Sequence, residues 1–129
     1  MLQFHKFIYH KLLRNPRLKA ESEIVNGLRG KTILDVGYFD GRFKKMLRSD
    51  FEYFGIDPSP AKEMAGMPKV AIEDFSSEKK FDIIIASNIL EHVGDPVLVM
   101  RKLRTLSNKY ICIGVPYEPY YTIFRFFIS

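Results

Sequence analysis

The fold of this chain is decided by an apolar run that ends in a glycine-bearing turn, TILDVGYFDG at residues 32–41. The run predicts a β-strand, and the residues from Arg42 to Leu47 carry a helical pattern. A turn between a strand and a helix can present backbone N–H groups to a ligand at the carboxyl edge of a parallel sheet. Gly37 and Gly41 suit such a turn, because glycine adopts backbone conformations that are closed to other residues.

Outward from this segment, apolar runs alternate with helical patterns and predict an α/β domain with a mostly parallel sheet. The five predicted strands cover residues 32–36, 53–56, 70–72, 81–86 and 110–115. Predicted helices cover residues 4–12, 18–28, 42–47, 60–64, 89–92 and 96–106, and Asn15-Pro16 is expected to separate the first two. The run Ile83-Ile84-Ile85 is apolar at consecutive positions, so we expect it in the middle of the sheet with helices on both faces.

Length and composition indicate one globular domain with no metal centre. The chain has 129 residues, of which 47% are hydrophobic and 27% charged, a composition far from that of disordered chains. Cys112 is the single cysteine, which excludes a disulfide framework and a cysteine-cluster zinc site. No group of histidine and acidic residues has metal-ligand spacing, so no metal is expected.

The charge pattern bears on partners and location. A formal net charge of +5 favours an anionic partner, but RNA binding would need aromatic residues on an exposed sheet, and these strands are predicted to be covered. A small-molecule partner is therefore favoured over nucleic acid. Lys6, His10 and Lys11 interrupt the first apolar pattern, so we predict a cytoplasmic protein with no membrane span. The amphipathic first helix leaves contact with a membrane interface open.

Asp57 is the acid that gives the glycine turn a function. It lies twenty residues after Gly37 at the end of the next predicted strand, where a carboxylate can accept hydrogen bonds from both ribose hydroxyls of an adenosine. A nicotinamide-binding site shares this logic but wants G-x-G-x-x-G, and here Phe39 and Arg42 stand where further glycines would be. That alternative is disfavoured.

These segments resemble the class I S-adenosylmethionine-dependent methyltransferases, and most closely their small-molecule branch. The similar motifs are DVG at 35–37 with DG at 40–41, GID at 55–57, FDIIIAS at 81–87, LEHV at 90–93 and DP at 95–96. The resemblance covers roughly residues 27–119. It implies a Rossmann-like, doubly wound sheet of strand order 3-2-1-4-5, binding S-adenosyl-L-methionine over strands 1 and 4. The family's terminal 7-6 strand pair has no counterpart in these residues.

The resemblance also implies an organisation and a set of site residues. N-terminal helices would occupy residues 1–30, a cofactor-binding core 31–116 and an aromatic tail 117–129. The implied cofactor-binding residues are Asp35, Gly37, Tyr38, Phe39, Gly41, Asp57, Glu73, Asp74, Ser87 and Asn88. Asp35 lies within an apolar strand and needs partners, so we expect it to organise the glycine turn by accepting backbone N–H bonds.

Several of these residues have a second interpretation. The family's adenine-reading acid could correspond to Glu73 and Asp74 or align with Ala71, and in the latter case the two acids are a solvated turn. Ser87 and Asn88 could cap the helix that follows them.

Phe39 departs from the family's first motif, which usually has a glycine there so that the backbone can lie against the cofactor. Either its ring turns away and the cofactor binds, or Tyr38 and Phe39 fill the pocket. The first case implies S-adenosylmethionine-dependent methyl transfer to an unidentified small molecule. The second implies a non-catalytic module for binding or self-association.

His92 is the candidate catalytic base. It follows the fourth predicted strand, beside the expected methyl donor, and an imidazole can titrate near neutral pH. The alternative is a structural histidine that orients the loop together with Glu91.

The last residues predict self-association. Residues 117–129 are rich in tyrosine and phenylalanine, and the strand at 110–115 would lack its usual neighbours, leaving an edge that natural proteins cover or pair. Because aromatic residues concentrate at interface cores, we expect a homodimer through residues 110–129.

Overall fold

The structure is a computed structural model that describes residues 14–115, with side chains from residue 17 onward. The predicted first helix at residues 4–12 and the aromatic tail at 117–129 lie outside the described residues.

Within the described range, parallel strands alternate with helices. The elements are α1 (Arg14–Asn26), β1 (Thr32–Val36), α2 (Arg42–Met46), β2 (Glu52–Ile56), β3 (Phe81–Ser87), a 3-10 turn (Leu90–His92), α3 (Pro96–Leu106) and β4 (Ser107–Gly114). The strands form one sheet of order β2-β1-β3-β4, and all neighbouring pairs are parallel. This is the expected doubly wound order 3-2-1-4-5 without its strand 3.

The strand predicted at residues 70–72 is wrong. Residues 71–75 form a turn in which the N–H groups of Asp74 and Phe75 both donate to the carbonyl of Ala71. Ile72 and Phe75 are buried and three positions apart, which is the spacing of a helical turn and not that of a strand. The apolar run therefore serves the core without joining the sheet.

Two helix predictions also fail. Residues 60–64 form no helix, because this loop bonds to the glycine turn: the Lys62 N–H donates to the carbonyl of Phe39. The expected break at Asn15-Pro16 is absent, since α1 begins at Arg14 and runs through both residues. Proline is tolerated there because the N–H groups of a first helical turn have no partner within the helix.

Both faces of the sheet are packed. On one face Leu34 and Ile84 lie in a cluster with Val99 and Leu103 of α3. On the other, residues 33, 83 and 85 lie in a cluster with Val25 of α1 and Phe43 of α2. The run Ile83-Ile84-Ile85 thus occupies a central strand between β1 and β4, as the sequence predicts.

Helix α3 begins and packs as its sequence requires. The Asp95 carboxylate caps it by accepting a 3.1 Å hydrogen bond from the N–H of Leu98, and Pro96 opens its first turn. Val99, Leu103 and Leu106 recur four and three residues apart and are all buried against the sheet.

Replacing Leu103 with alanine is expected to lower the free energy of unfolding by about 2 to 5 kcal/mol, because a fully buried leucine loses its contacts and leaves a cavity. Leu98→Ala in the same helix is the control, since Leu98 is exposed, and it should change the free energy of unfolding by about 0.5 kcal/mol or less. Urea unfolding followed by circular dichroism measures both. Equal losses would contradict the packing described for α3.

Candidate functional site at the carboxyl edge of the sheet

The parallel arrangement brings most predicted site residues to one edge. In register, Asp35 of β1 lies between Gly55 of β2 and Ile85 of β3. The glycine turn follows β1, Asp57 follows β2, and Ser87 ends β3. Carboxyl ends of parallel strands are where ligands bind in open α/β sheets.

The glycine turn alternates between ordinary and left-handed backbone. Gly37, Phe39 and Gly41 have φ values of 81°, 57° and 76°. Phe39 therefore adopts the conformation that a glycine would take at this position, at a cost of about 1 kcal/mol for a residue with a Cβ atom. The turn is thus left-handed at alternate positions, although one of the three residues is not a glycine.

Side chains from two other segments pack directly on the two glycines. A Cβ on Gly37 would collide with Cδ1 of Ile89, and a Cβ on Gly41 would lie 2.6 Å from Sδ of Met64. Both glycines are thus required by close packing as well as by their positive φ. The turn is held between the start of the 3-10 segment and the loop after β2.

The two aromatic residues of the turn lie in different environments. Tyr38 is buried, with Cδ1 only 2.7 Å from where a Cβ on Gly55 would lie, so its ring packs over β2. Its hydroxyl has no hydrogen-bond partner among the described residues. Phe39 is 39% exposed, and the Arg42 guanidinium lies 5.8 Å from the centroid of its ring.

Asp57 ties the end of β2 to the glycine turn. It is 8% exposed; Oδ2 accepts a 2.9 Å hydrogen bond from the N–H of Phe39, and Oδ1 accepts one of 2.8 Å from the N–H of Ser59. The role of organising the turn, which the sequence assigned to Asp35, belongs to Asp57. Asp57 can do this because it extends past the end of its strand toward the turn.

Asp35 has a different partner. It is 4% exposed, and its Oδ2 accepts a 2.5 Å hydrogen bond from the hydroxyl of Tyr53. Burial raises the pKa of Asp35 to about 6; the Tyr53 hydrogen bond lowers it, and the charges of Asp57 and Glu21 raise it. Burial, together with the charge of Asp35, also raises the pKa of Tyr53.

Sequence reasoning missed Tyr53. Residues two apart on a strand share a face, and the register that pairs Gly55 with Asp35 therefore places Tyr53 on the face of Asp35. The pattern Tyr53-x-Gly55 beside a buried acid could have indicated the pair, but only once the strand register was known.

A second polar cluster joins α1 to the ends of β3 and β4. Glu21 accepts hydrogen bonds of 2.9 and 3.1 Å from the Ser87 hydroxyl and one of 2.8 Å from Nε of Arg17. A Cβ on Gly114 would lie within 2.8 Å of atoms of all three side chains. Ser87 thus bonds to α1, and the helix-capping interpretation is wrong for it, because no side chain caps the 3-10 turn.

Asn88 lies next to this cluster. It has a left-handed φ of 58°, and its N–H donates to the carbonyl of Gly114 at 2.8 Å. Its side-chain Oδ1 is buried and has no hydrogen-bond partner among the described residues.

His92 and Glu91 follow in the 3-10 turn. The His92 side chain is 78% exposed, with Nε2 3.9 Å from Oε1 of Glu91. The other carboxylate oxygen of Glu91, Oε2, is buried and finds no partner within the described chain. The imidazole is therefore accessible to a ligand and has an acidic neighbour.

Glu73 and Asp74 are not brought to this edge by any described contact. Both are exposed, and the carbonyl of Glu73 accepts a 2.7 Å hydrogen bond from Nζ of Lys102 on α3. Between residues 17 and 115, no contact joins either side chain to Asp35, Asp57 or the glycine turn.

The resulting edge is acidic and rich in acceptors. Asp35, Asp57 and Glu21 interact electrostatically, and the unpartnered oxygens of Asn88 and Glu91 add two buried acceptors. Such a site suits a ligand that carries positive charge and hydrogen-bond donors. In the described part of the chain, no three histidine, cysteine or acidic side chains are grouped so that they could hold a metal ion, and no helix has the length and apolar character needed to cross a membrane.

Comparison with known families identifies the class of protein. A methyltransferase domain profile matches residues 5–113, which is most of the chain. The chain belongs to the methyltransferase domain family.

Two curated relatives share part of their length with this chain. It is 32% identical over 114 residues to the ubiquinone biosynthesis O-methyltransferase of Actinobacillus pleuropneumoniae serotype 7, covering 73% of this chain and 49% of that protein. It is 28% identical over 109 residues to the protein of the same name from Acinetobacter baumannii strain AYE, covering 71% and 46%. The chain spans about half the length of these curated relatives.

Solved structures share the fold. The plantazolicin methyltransferase BpumL, crystallised with a desmethylPZN analog and SAH, superposes with a TM-score of 0.67 at 19% identity, covering 84% of this chain and 50% of that one. The N-methyltransferase NodS from Bradyrhizobium japonicum WM9 gives 0.62 at 19% identity, with coverages of 87% and 70%. The Rossmann-like methyltransferase fold expected from the sequence is confirmed.

The buried acid predicts a pH-dependent stability. Because the pKa of Asp35 is raised to about 6 in the folded state, the folded state binds this proton more tightly than the unfolded state does. The carboxyl therefore stabilises the fold at acid pH, and this contribution to the free energy of unfolding is lost as the pH rises through about 6. Asp35→Asn, which stays neutral and can still accept from Tyr53, should therefore gain stability relative to the parent as the pH rises from about 4 to 7, by up to roughly 3 kcal/mol. Urea unfolding across this range measures the difference. A difference that does not change with pH would contradict the raised pKa.

Proposed function

We propose that this chain binds S-adenosyl-L-methionine at the carboxyl edge of the sheet and supports transfer of its methyl group to a small molecule. The observation that carries the proposal is Asp57, buried at the end of β2 and hydrogen-bonded to the N–H of Phe39 in the left-handed glycine turn. Family membership supports the reaction class, and the SAH in the BpumL crystals supports the choice of cofactor.

The chemistry of the edge fits this cofactor. S-adenosylmethionine carries a positive sulfonium and an ammonium group, and its ribose hydroxyls and adenine amino group donate hydrogen bonds. The edge offers the complementary set of carboxylates, Asp35, Asp57 and Glu21. The buried oxygens of Asn88 and Glu91 have no described donor, and an unsatisfied buried acceptor is costly unless a ligand or water pairs with it.

When bound, the cofactor supplies a methyl group activated by its sulfonium charge. Asp57 has acceptor positions left for ribose hydroxyls while it holds the N–H of Phe39. Ser87 and Glu21 hold α1 against the ends of β3 and β4, which encloses the edge on that side. Positioning and charge complementarity of this kind supply much of the rate enhancement in a transfer between two bound partners.

His92 is proposed as the base that removes the proton of the acceptor nucleophile. Its imidazole is exposed at the end of β3 and lies beside the Glu91 carboxylate, which can stabilise the imidazolium formed on proton uptake. The acceptor is then a small molecule with a hydroxyl or amine group. The O-methyltransferase names of the relatives support a hydroxyl.

A second candidate function is a non-catalytic module with a filled cofactor site. Ile89 and Met64 pack on Gly37 and Gly41, and Tyr38 is buried beside them, which favours this candidate. The response of the fold to S-adenosylmethionine distinguishes the two candidates, because a filled site would not bind the cofactor.

Cofactor binding is tested by thermal unfolding and calorimetry. S-adenosylmethionine or S-adenosylhomocysteine at about 100 times its dissociation constant should stabilise the parent protein by about 2.7 kcal/mol. Asp57→Asn should weaken binding by roughly tenfold or more, because an anionic acceptor becomes a neutral amide. Asp50→Asn, at an exposed loop position, is the control and should bind as the parent does. Equal affinity in both variants would exclude Asp57, and a parent that does not respond would favour the non-catalytic module.

The catalytic role of His92 predicts a loss confined to the chemical step. His92→Gln should leave the affinity for S-adenosylmethionine unchanged and lower methyl transfer by up to about 10²-fold, the effect typical of losing a general base. Methyl transfer is followed by radiolabel incorporation into small phenols and amines. Loss of folding or of cofactor affinity in this variant would indicate a structural histidine.

We further propose that the protein is cytoplasmic and pairs with a second copy through residues 110–129. Strand β4 lies at the edge of the four described strands, and its apolar residues Tyr110 and Ile113 are exposed. An uncovered edge with apolar side chains favours pairing with another chain. A cytoplasmic location is consistent with the free thiol of Cys112.

Light scattering at micromolar concentration tests the pairing. The parent should have the mass of a dimer, and Ile113→Asp should shift it to a monomer because a charge would be buried in the interface. Ile24→Asp, at an exposed apolar position on α1, is the matched control and should remain dimeric. A monomeric parent would refute the dimer.

A further inference from the structure

Tyr53 has no assigned role in the function proposed above, although its partner Asp35 is one of the carboxylates of the edge. Asp35 lies two residues before the glycine turn, and the turn carries the N–H that Asp57 holds. The Tyr53 hydroxyl reaches the Asp35 carboxylate from the neighbouring strand at 2.5 Å. In the described part of the chain, the Asp35 carboxylate accepts no other hydrogen bond and forms no ion pair.

The groups that face this pair are mostly negative. Glu21 approaches from α1 and Asp57 from the end of β2, and both charges oppose ionisation of Asp35. From α2, Nζ of Lys44 lies 5.6 Å from the centroid of the Tyr53 ring, on the tyrosine side of the pair. The hydroxyl of Tyr53 is therefore the described group that directly stabilises the Asp35 anion.

An ionised Asp35 at this position destabilises the fold, because the carboxylate is buried beside two other acids. A cationic ligand at the same edge would offset this cost: the negative charge is unfavourable in the free protein and favourable once the ligand binds. In the free protein, the hydroxyl of Tyr53 stabilises the Asp35 carboxylate without neutralising its charge, since a phenol donates a hydrogen bond and carries no positive charge.

We propose that Tyr53 is a positioning residue for cofactor binding, whose hydroxyl fixes the orientation of the Asp35 carboxylate and stabilises its anionic form for the cationic cofactor. The inference rests on the proposed function. Tyr53 itself does not touch the cofactor in this scheme; it acts through Asp35.

The sign of the effect follows from the hydrogen bond. Removing the hydroxyl takes away the interaction that lowers the pKa of Asp35, so Asp35 becomes protonated at a higher pH. As the pH is lowered, binding of S-adenosylmethionine should therefore begin to weaken at a higher pH than it does in the parent. S-adenosylhomocysteine lacks the sulfonium charge and should be affected less.

The experiment compares the parent with Tyr53→Phe and with Thr105→Val, a control that removes the hydroxyl of an exposed residue on α3. Carbon-13 NMR of the aspartate carboxyls, without cofactor, measures the titration midpoint of Asp35. Calorimetry measures the affinity for S-adenosylmethionine and S-adenosylhomocysteine between roughly pH 5 and 8. We expect a higher midpoint in Tyr53→Phe and about three- to tenfold weaker binding of S-adenosylmethionine near pH 6.5, with Thr105→Val unchanged.

Asp35→Asn keeps the acceptor for Tyr53 and removes the charge, so it tests the inference even where Tyr53→Phe folds poorly. Its affinity for S-adenosylmethionine should be low and should not change with pH near 6. Parent-like affinity in Asp35→Asn, or an unchanged Asp35 midpoint or pH profile in Tyr53→Phe, would overturn this inference alone. A parent that binds neither compound would overturn the proposed function and this inference with it.

Discussion

The hydrogen bond from the N–H of Phe39 to Asp57 is the interaction on which the site depends. It joins the turn after β1 to the residue that follows β2, and so holds the left-handed backbone of the turn at Phe39. This hydrogen bond offsets part of the cost of the left-handed φ at Phe39. The packing of Ile89 and Met64 on the two glycines completes the same constraint from the other side of the turn.

Whether an element could be predicted from the sequence depends on the range of the interactions that form it. Strands β1 and β3 are predictable because consecutive apolar residues need a covered central position. The pattern at 70–72 misleads because a three-residue apolar run is equally suited to a buried turn. The helix predicted at 60–64 does not form because the N–H of Lys62 donates to the carbonyl of Phe39, in a turn far earlier in the chain, and no local pattern records that contact.

The candidate site divides in the same way. Gly37, Gly41 and Asp57 are identifiable from spacing, since strand, turn and terminal acid recur in a fixed order. The contact with the turn is not identifiable in this way, because Asp35 and Asp57 are both acids near the same strand ends and only the geometry shows that Asp57 reaches the backbone N–H of the turn. Glu21 and Ser87 are 66 positions apart, so their contact likewise depends on the register of α1 against the sheet.

Asp35 and Asp57 lie at one sheet edge in different hydrogen-bonding environments. Asp57 accepts two backbone N–H bonds, the arrangement that stabilises a carboxylate. Burial and two acidic neighbours oppose the ionisation of Asp35, and the hydroxyl of one tyrosine stabilises its anion, which leaves the pKa at about 6. The charge of Asp35 therefore depends on pH in the range around 6, while Asp57 holds the turn through its backbone hydrogen bonds. A ligand with a fixed positive charge would favour the ionised form of Asp35 and, by linkage, would bind more tightly as the pH rises through that range.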